Sequence, residues 1–176
     1  NQETAWTQGL FTGYPELEEF RPDGSRRFDY SHSICPSHPN AQRIVFDLMD
    51  EVVDAFGADT MHCGCDEVFE IGQCHRCRGK SPAKLYADWV NGLARHLKSK
   101  GVRTMIWSDR LINAAENGYG VWEASDNGTD AALGKVDKDV ICCDWHYENC
   151  PKYPSVETLA DAGYELYVCP WRYPEN

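Results

Sequence analysis

The sequence predicts an α/β fold in which strands and helices alternate, with each helix connecting two parallel strands. Short apolar runs of strand character recur at spacings of roughly 25 to 40 residues, and amphipathic runs of helical period lie between them. Both a (β/α)8 barrel and a doubly wound open sheet fit this alternation. The 176 residues provide four such units, whereas a barrel needs eight and about 250 residues. Either the sheet is open or the chain is part of a barrel.

The N-terminal half contains one long unpatterned segment, a helix and a strand. Residues 1–35 are rich in proline, glycine and aromatic residues without a sustained period, and predict an ordered long loop. Apolar residues at helical spacing then predict a helix over 40–56, and Gly57 suits its left-handed C-terminal cap. The run 58–68 reads as a short strand that ends in two acidic residues.

The second half begins with the clearest helix of the chain. Ser81 is a favoured N-cap, Pro82 suits the first turn, and Gly101 ends the segment. The last helix is predicted to begin at an N-cap, Ser155, and to stop at Gly163. The other elements are strands at 102–107, 140–145 and 164–169, and a short helix near 131–136.

Charge and hydropathy exclude two classes of partner. The formal net charge of −11 repels phosphate backbones, so no nucleic acid is expected to bind. No apolar run approaches the roughly 20 residues that span a bilayer. The chain opens on Asn-Gln-Glu without an initiator methionine or a leader. We therefore expect a mature form or a piece of a longer protein.

The chain contains nine cysteines, an odd number that leaves at least one without an intrachain partner. Five lie in strand-like runs and favour a reducing compartment, where thiols act as small buried apolar groups. Cys74-His75-Arg76-Cys77 has the spacing of half a zinc site, but no second pair of this kind follows. Cys35, Cys63, Cys65 or His62 can complete a site only if the fold brings them near. A disulfide or free thiols are favoured, and neither a metal nor a cofactor is predicted.

Polar and aromatic residues follow each predicted strand. In α/β proteins, the carboxyl ends of parallel strands form the active site. Four successive strand ends of this kind are difficult to explain by structure alone. The four segments are His62-Cys63-Gly64-Cys65-Asp66-Glu67, Trp107-Ser108-Asp109, Asp144-Trp145-His146-Tyr147 and Pro170-Trp171-Arg172.

The most informative segment carries the adjacent acids Asp66 and Glu67. Because side chains alternate along a strand, His62, Gly64 and Asp66 are expected to share one face, and Gly64, without a side chain, leaves space above it. Two carboxylates in a confined site repel each other, which keeps one protonated near neutral pH. A neutral acid beside an ionised one suits glycosidic bond cleavage. A solvated pair at a helix start is the alternative, and the surrounding motif argues against it.

This segment, extended to Val68, resembles the His-x-Gly-Gly-Asp-Glu-Val strand end of family 20 glycoside hydrolases, the β-N-acetylhexosaminidases. The resemblance extends to Cys35-Pro36, to Trp107-Ser108-Asp109 and to Asp144-Trp145-His146-Tyr147, and covers most of residues 9–173. One departure is Cys65, which stands where a second glycine is usual.

The resemblance implies a (β/α)8 TIM-type barrel, with residues 1–176 forming part of one catalytic domain and supplying roughly strands 4 to 7. The family's first-strand arginine and eighth-strand tryptophan are not found, so the rest of the barrel is expected from flanking sequence or another chain. The implied substrate is a glycan with a terminal N-acetylhexosamine. A periplasmic, extracellular or lysosomal location is also implied.

The resemblance further implies substrate-assisted catalysis with retention of configuration. Glu67 is expected to be the general acid and base, Asp66 to accept the acetamido N–H, and Tyr147 to orient the acetamido oxygen. His62 is expected to contact substrate, and aromatic faces to wall the sugar. Two further carboxylates are expected either to bind sugar hydroxyls or to satisfy backbone donors at the barrel rim. The wall residues are Trp107, Trp145 and Trp171, and the two carboxylates are Asp109 and Asp144.

Two other functions compete with this one. The first is a related barrel that binds carbohydrate without turnover, against which the intact Asp66–Glu67 pair argues. The second is a zinc-dependent or redox protein that uses Cys74 and Cys77.

Overall fold

A computed structural model describes residues 5–171, with side chains from residue 9 onward. The helices are α1 (Ala5–Gly13), α2 (Ala41–Phe56), α3 (Pro82–Ser99), α4 (Ala114–Asn117) and α5 (Pro154–Asp161). The strands are β1 (Glu18–Glu19), β2 (Ser33–Ile34), β3 (Thr60–His62), β4 (Arg103–Trp107), β5 (Ile141–Asp144) and β6 (Leu166–Val168). None of the helices in this range is long and apolar enough to cross a membrane.

The main sheet has four strands in the order β3-β4-β5-β6, and every pair is parallel. The spatial order equals the sequence order, so each connection carries the chain from one strand to its neighbour. The prediction of an α/β fold with parallel strands is therefore confirmed. A separate antiparallel pair joins β1 to β2, which we call the N-terminal hairpin.

The helices cover one face of the main sheet. Met49 of α2, Leu93 of α3 and Leu159 of α5 join Ile106 and Cys142 of the strands in one buried cluster. α1 packs on the outer side of α2 through Leu10 and Phe11 in a second, smaller cluster. A doubly wound sheet carries helices on both faces, whereas a barrel has all of them outside. The one-sided arrangement favours the barrel type.

The opposite face of the sheet is only partly covered. The residues on this face form rows that run across adjacent strands. One row is His62, Met105 and Ile141, and the next is Trp107, Cys143 and Tyr167. Ile141 and Cys143 are buried, but His62 is exposed and Tyr167 is 49% exposed. Within residues 5–171, no other strand pairs with the outer edge of β3 or of β6.

Three predicted elements differ from the structure. The loop predicted over 1–35 contains α1 and the N-terminal hairpin within its described part, because its aromatic and apolar residues pack on α2. The short helix near 131–136 is a single 3₁₀ turn at Asp130–Ala132. Ser155 is not an N-cap but lies inside α5, whose N-cap is Tyr153, since the serine hydroxyl donates to Asp144 Oδ2 instead.

The strand predicted over 58–68 is shorter than expected. It ends at His62 because the backbone turns into the left-handed region at Gly64 (φ 71°), Cys65 (φ 71°) and Glu67 (φ 48°). Side chains therefore do not alternate as far as Asp66, and the argument that His62, Gly64 and Asp66 share one strand face is wrong. The acids lie on a loop that begins where the strand stops.

Candidate active site

Residues 63–73, which follow β3, carry the two candidate catalytic acids, and we call them the catalytic loop for that reason. Its first part still bonds to β4: the Cys63 N–H donates to Met105 O (2.8 Å), and the Trp107 N–H donates to Gly64 O (2.9 Å). The loop then leaves the sheet through its left-handed residues. Asp66 is 5% exposed and Glu67 is partly buried. The two acids thus lie at the carboxyl end of the sheet.

Cys65 is a non-glycine residue at φ 71°. This conformation costs a residue with a Cβ roughly 1–2 kcal/mol, and glycine adopts it freely. The cost is offset locally, because the Tyr86 hydroxyl donates to Cys65 O at 3.0 Å and the thiol side chain is buried. The backbone turn explains physically why a glycine is usual at this position in the motif that the sequence resembles.

Asp109 holds the backbone of the acid pair. Its Oδ2 accepts the Glu67 N–H at 2.9 Å and the Arg110 Nε–H at 2.6 Å, and both members of this ion pair are buried. Arg110 in turn donates to three backbone carbonyls, and its guanidinium lies 5.2 Å from the centre of the Phe69 ring. The position of Glu67 therefore depends on a buried pair that follows β4.

Asn127 supports the loop immediately after the acids. Its Nδ2 donates to Val68 O (2.8 Å) and to Phe69 O (3.2 Å). Its Oδ1 accepts from the Ser125 and Thr129 hydroxyls, each at 3.1 Å. The side chain thus bridges two distant loops through both ends of its amide.

Glu70 connects the catalytic loop to the segment between β1 and β2. Its side chain is buried, with Oε1 accepting the Arg27 N–H at 2.5 Å and Oε2 accepting the Ser31 hydroxyl at 2.9 Å. Arg27 also binds Asp126 through two hydrogen bonds of 2.7 Å each. Residues 27, 70 and 126 therefore order three segments around the loop.

Tyr147 lies among aromatic residues close to Glu67. Its ring centre is 5.4 Å from that of Trp145 and 5.2 Å from that of Trp171. Burial raises the pKa of the Tyr147 hydroxyl, and the charges of Cys169 and Glu67 raise it further. The structure thus brings together four residues that the sequence singled out: Glu67, Trp145, Tyr147 and Trp171.

His62 and Trp107 form a second aromatic contact at the same end of the sheet. Their ring centres are 4.4 Å apart, and His62 Nδ1 accepts the Gly64 N–H at 3.1 Å. Both side chains retain solvent exposure. They are therefore accessible to a ligand above β3 and β4.

Asp144 is 2% exposed and is surrounded by protein groups. It accepts hydrogen bonds from Ser155 Oγ (2.8 Å) and Ser108 Oγ (3.4 Å), and its Oδ1 lies 3.4 Å from His146 Nε2. Asp109 is similarly engaged with backbone and arginine donors. Of the two alternatives for these carboxylates, the contacts favour satisfying donors at the rim of the sheet.

An apolar cavity of about 210 Å³ lies behind the catalytic loop, between β3 and the helices α2 and α3. Met49, Trp89 and Leu93 contribute to its lining, and neither Asp66 nor Glu67 does. His62 and Trp107 line its side toward the site, and so do Cys65 and Val68, the loop residues on either side of the two acids. It is a gap in the packing of the helical layer and does not contain the acid pair.

Several supporting residues were not singled out from the sequence. Asn127 begins a formal glycosylation sequon, Asn127-Gly128-Thr129, which gives no sign of this role, and Glu70 and Arg27 carry no local signal. Their partners lie 43 to 99 positions away along the chain. Only the fold, and no spacing rule, brings these residues to the catalytic loop.

Known proteins resemble this chain over nearly its whole length. The catalytic-domain model of glycosyl hydrolase family 20 matches residues 6–173. A lacto-N-biosidase from Bifidobacterium bifidum is 26% identical over 113 residues, which cover 57% of this chain and 10% of that protein.

Two solved structures are similar at low identity. One is a β-N-acetylhexosaminidase from Bacteroides fragilis, with a TM-score of 0.62, 16% identity, and coverage of 92% of this chain and 30% of that one. The other contains the tandem family 20 modules of a pneumococcal exo-β-D-N-acetylglucosaminidase, with a TM-score of 0.53, 17% identity, and coverage of 93% and 36%.

These structural similarities show a TIM-barrel-like α/β fold, and this chain spans about a third of the length of the solved chains. The family match covers nearly all of its residues. The resemblance drawn from the motif around Asp66 and Glu67 is therefore confirmed: the chain belongs to glycosyl hydrolase family 20 and is part of its catalytic domain.

Proposed function

We propose that the protein carrying this chain is a retaining exo-glycosidase that removes terminal β-linked N-acetylhexosamine from glycans. The observation that carries the proposal is the acid pair at the sheet's carboxyl end. Glu67 is held through its backbone by buried Asp109 (2.9 Å), and Tyr147 lies close enough for the charge of Glu67 to raise its pKa. Family membership supports a glycoside hydrolase of this substrate class.

The proposed mechanism uses the substrate's own 2-acetamido group as the nucleophile. Glu67 protonates the leaving glycosidic oxygen while the acetamido carbonyl oxygen attacks the anomeric carbon. Asp66 accepts the acetamido N–H and stabilises the positive charge that grows on the oxazolinium ring. Tyr147 donates to the acetamido oxygen. Glu67, now ionised, then deprotonates a water molecule. This water attacks the anomeric carbon from the face that the leaving group left, which opens the oxazolinium ring and retains the configuration.

The sugar is proposed to lie between the aromatic side chains at the strand ends. The apolar C–H face of a pyranose packs on aromatic rings. Trp171 is 52% exposed and contacts Tyr147, while His62 and Trp107 form the other aromatic pair. These residues, together with Trp145, supply both walls of the proposed site.

We further propose that residues 1–176 are part of one (β/α)8 barrel and contribute roughly its fourth to seventh strands. Three features support this proposal: all four strands are parallel, their order follows the sequence, and the helices lie on one face. The other strands come from flanking sequence or from another chain.

Substrate selectivity tests the reaction. The protein containing the whole barrel should cleave aryl N-acetyl-β-hexosaminides and leave the matching plain glucosides intact, because only the former carry the nucleophile. A thiazoline mimic of the oxazoline should inhibit it. Equal rates on both substrates would contradict substrate assistance, and binding of N-acetylhexosamine without turnover would show a carbohydrate-binding barrel instead.

Two conservative substitutions separate the roles of the acids. Glu67→Gln should lower the rate on natural linkages by about 10²–10⁴-fold, and less on aryl leaving groups that depart without a proton. Asp66→Asn should lower both rates, because it weakens the attack itself. Glu51→Gln, on the exposed side of α2, is the matched control. A harmless Glu67→Gln would disprove the acid assignment.

A further inference from the structure

We propose that Cys35, Cys74, Cys77 and Glu19 form a structural zinc site that ties the N-terminal hairpin to the catalytic loop. The four residues are buried, and one ligand atom from each lies within 4.8 Å of all the others. The sequence argued against a metal because no second cysteine pair follows Cys77. The fold supplies the missing ligands from the hairpin instead.

The distances between sulfur atoms fit one tetrahedral ion. Cys35 Sγ lies 3.5 Å from Cys74 Sγ and 3.6 Å from Cys77 Sγ. A tetrahedron with Zn–S bonds of about 2.3 Å has sulfur atoms about 3.8 Å apart. A disulfide requires an S–S bond of about 2.05 Å and can join only two of the three cysteines. Three thiols that all lie within 4.8 Å of one another therefore match a metal better than a disulfide.

Glu19 provides the independent observation that points to a cation. Its side chain is buried, and Oε1 accepts the N–H groups of Gln73 (2.7 Å) and Cys74 (3.0 Å). Oε2 is also buried, and it has no hydrogen-bond partner among the described residues. A buried carboxylate oxygen is costly unless it is paired or coordinates a metal. A carboxylate oxygen of Glu19 lies within 4.8 Å of all three thiols.

The turn that carries two of the cysteines has the form of a metal-binding knuckle. The N–H groups of Cys77 (3.1 Å) and Arg78 (2.8 Å) both donate to Cys74 O, which directs the two thiols to the same side. His75, between them, is exposed and is not part of the cluster. Three thiolates and one carboxylate fill all four tetrahedral positions, which is the arrangement of a structural and not a catalytic zinc site.

The position of the site explains what the metal would do. Glu19 belongs to β1, Cys35 follows β2, and Cys74 lies seven positions after Glu67. Zinc would therefore fix the far end of the catalytic loop, while β4 holds its beginning and Asp109 and Asn127 hold its middle. This role is independent of the proposed reaction, because it needs no contact between metal and substrate.

Metal content tests the proposal directly. The full-length protein, produced with zinc in the medium and purified without chelators, should contain about one zinc per chain. Cys77→Ser and Glu19→Gln should lower this content several-fold. Cys150→Ser and Glu16→Gln, at exposed positions outside the cluster, should leave it unchanged. Because metal is measured, failure here is distinguishable from failure of the proposed glycosidase activity.

A second set of measurements uses only wild-type protein, so the test remains valid if the variants do not fold. Wild-type protein refolded with Co²⁺ should show the visible absorption of tetrahedral cobalt and the near-ultraviolet charge-transfer bands of thiolate ligands. Chelation of zinc should lower its melting temperature. Wild-type protein that contains no zinc, binds no cobalt, and carries a disulfide or three titratable thiols at these cysteines would overturn the proposal.

Discussion

Asn127 shows how much the catalytic loop depends on single side chains far away in sequence. Its amide nitrogen serves two loop carbonyls, and its amide oxygen serves two hydroxyls. A carboxylate of the same shape would keep the acceptor and lose the donor. Val68 O and Phe69 O would then face a negative oxygen. The consequence should reach Glu67, which is adjacent to Val68.

Asn127→Asp should therefore lower stability by about 2–3 kcal/mol and kcat by about 10–100-fold, because small displacements of catalytic groups are costly. Asn91→Asp is the matched control. Asn91 also donates to a carbonyl (Lys135 O, 2.9 Å) and accepts an N–H (Asp137, 2.8 Å), but far from the loop. The Asn91→Asp variant should therefore be less stable than the wild type but should keep the wild-type kcat. Equal kinetic losses in both variants would contradict a specific role for Asn127.

At the same scale, the sequence predicted the identity of the acids but not their conformation. The motif was sufficient to single out Asp66 and Glu67. The left-handed turn at Cys65 was not predicted, because a cysteine in that position does not signal a positive φ as a glycine does. The roles of Asp109 and Asp144 also stayed open, since a carboxylate near a strand end can face either substrate or backbone.

At the scale of elements, β5 is joined to α5 by a buried polar contact. Asp144, the last residue of β5, accepts from Ser155 inside α5, and His146 follows two positions later. The His146 ring stacks on Tyr119 with ring centres 3.9 Å apart. Burial lowers the pKa of His146, but the carboxylates of Asp144 and Glu123 outweigh burial and raise it above its usual value of 6.5.

This shift predicts a pH dependence of stability. A histidine whose pKa is higher when folded contributes stabilisation that is complete below its unfolded pKa and lost as the pH rises through the folded value. The free energy of unfolding should therefore fall from pH 6 to pH 8 in the wild type, and less steeply in His146→Gln. Denaturant melts at several pH values measure both slopes, with exposed His75→Asn as the control. Parallel slopes for wild type and His146→Gln would refute this assignment.

The sequence predicted the elements well where their stabilising contacts are local. Ser81 caps α3 as expected, with its hydroxyl accepting the Lys84 N–H, and Gly57 caps α2 in the left-handed conformation. Ser155 misled the prediction because its hydroxyl has a tertiary partner. The N-terminal hairpin was missed because two-residue strands have no measurable period. Its contacts, with α2 and with residues 70–77, are distant in sequence.

At the scale of the whole molecule, the central feature is a sheet whose two edges pair with no other strand among residues 5–171 and whose second face is incompletely covered. Tyr167 and Val168 of β6 are 49% and 58% exposed. An exposed edge strand favours association with other chains, and exposed apolar surface indicates a missing neighbour. Length alone predicted this openness, because four βα units cannot close a barrel. Under the partial-barrel proposal, the strands that complete the barrel lie outside these residues.

Expression of residues 1–176 alone should therefore give a chain that self-associates, binds hydrophobic dyes and hydrolyses substrate slowly. The same residues within their natural flanking sequence should be free of these properties. Light scattering, dye fluorescence and kcat/KM on an aryl N-acetyl-β-hexosaminide compare the two. A monomeric and fully active isolated chain would contradict the partial-barrel proposal.

The contacts of the catalytic loop also determine when it can form. Its partners are separated from it by 42 residues at Asp109, 43 at Arg27, 54 at Glu19 and 59 at Asn127. Each contact closes a long segment of chain, which is slow compared with helix formation. During synthesis, α2 and α3 can form before residue 127 has left the ribosome, but the loop cannot be fixed. The acid pair therefore reaches its final conformation later than α2 and α3, and a chain that ends before residue 127 has an unformed candidate site even when these two helices are complete.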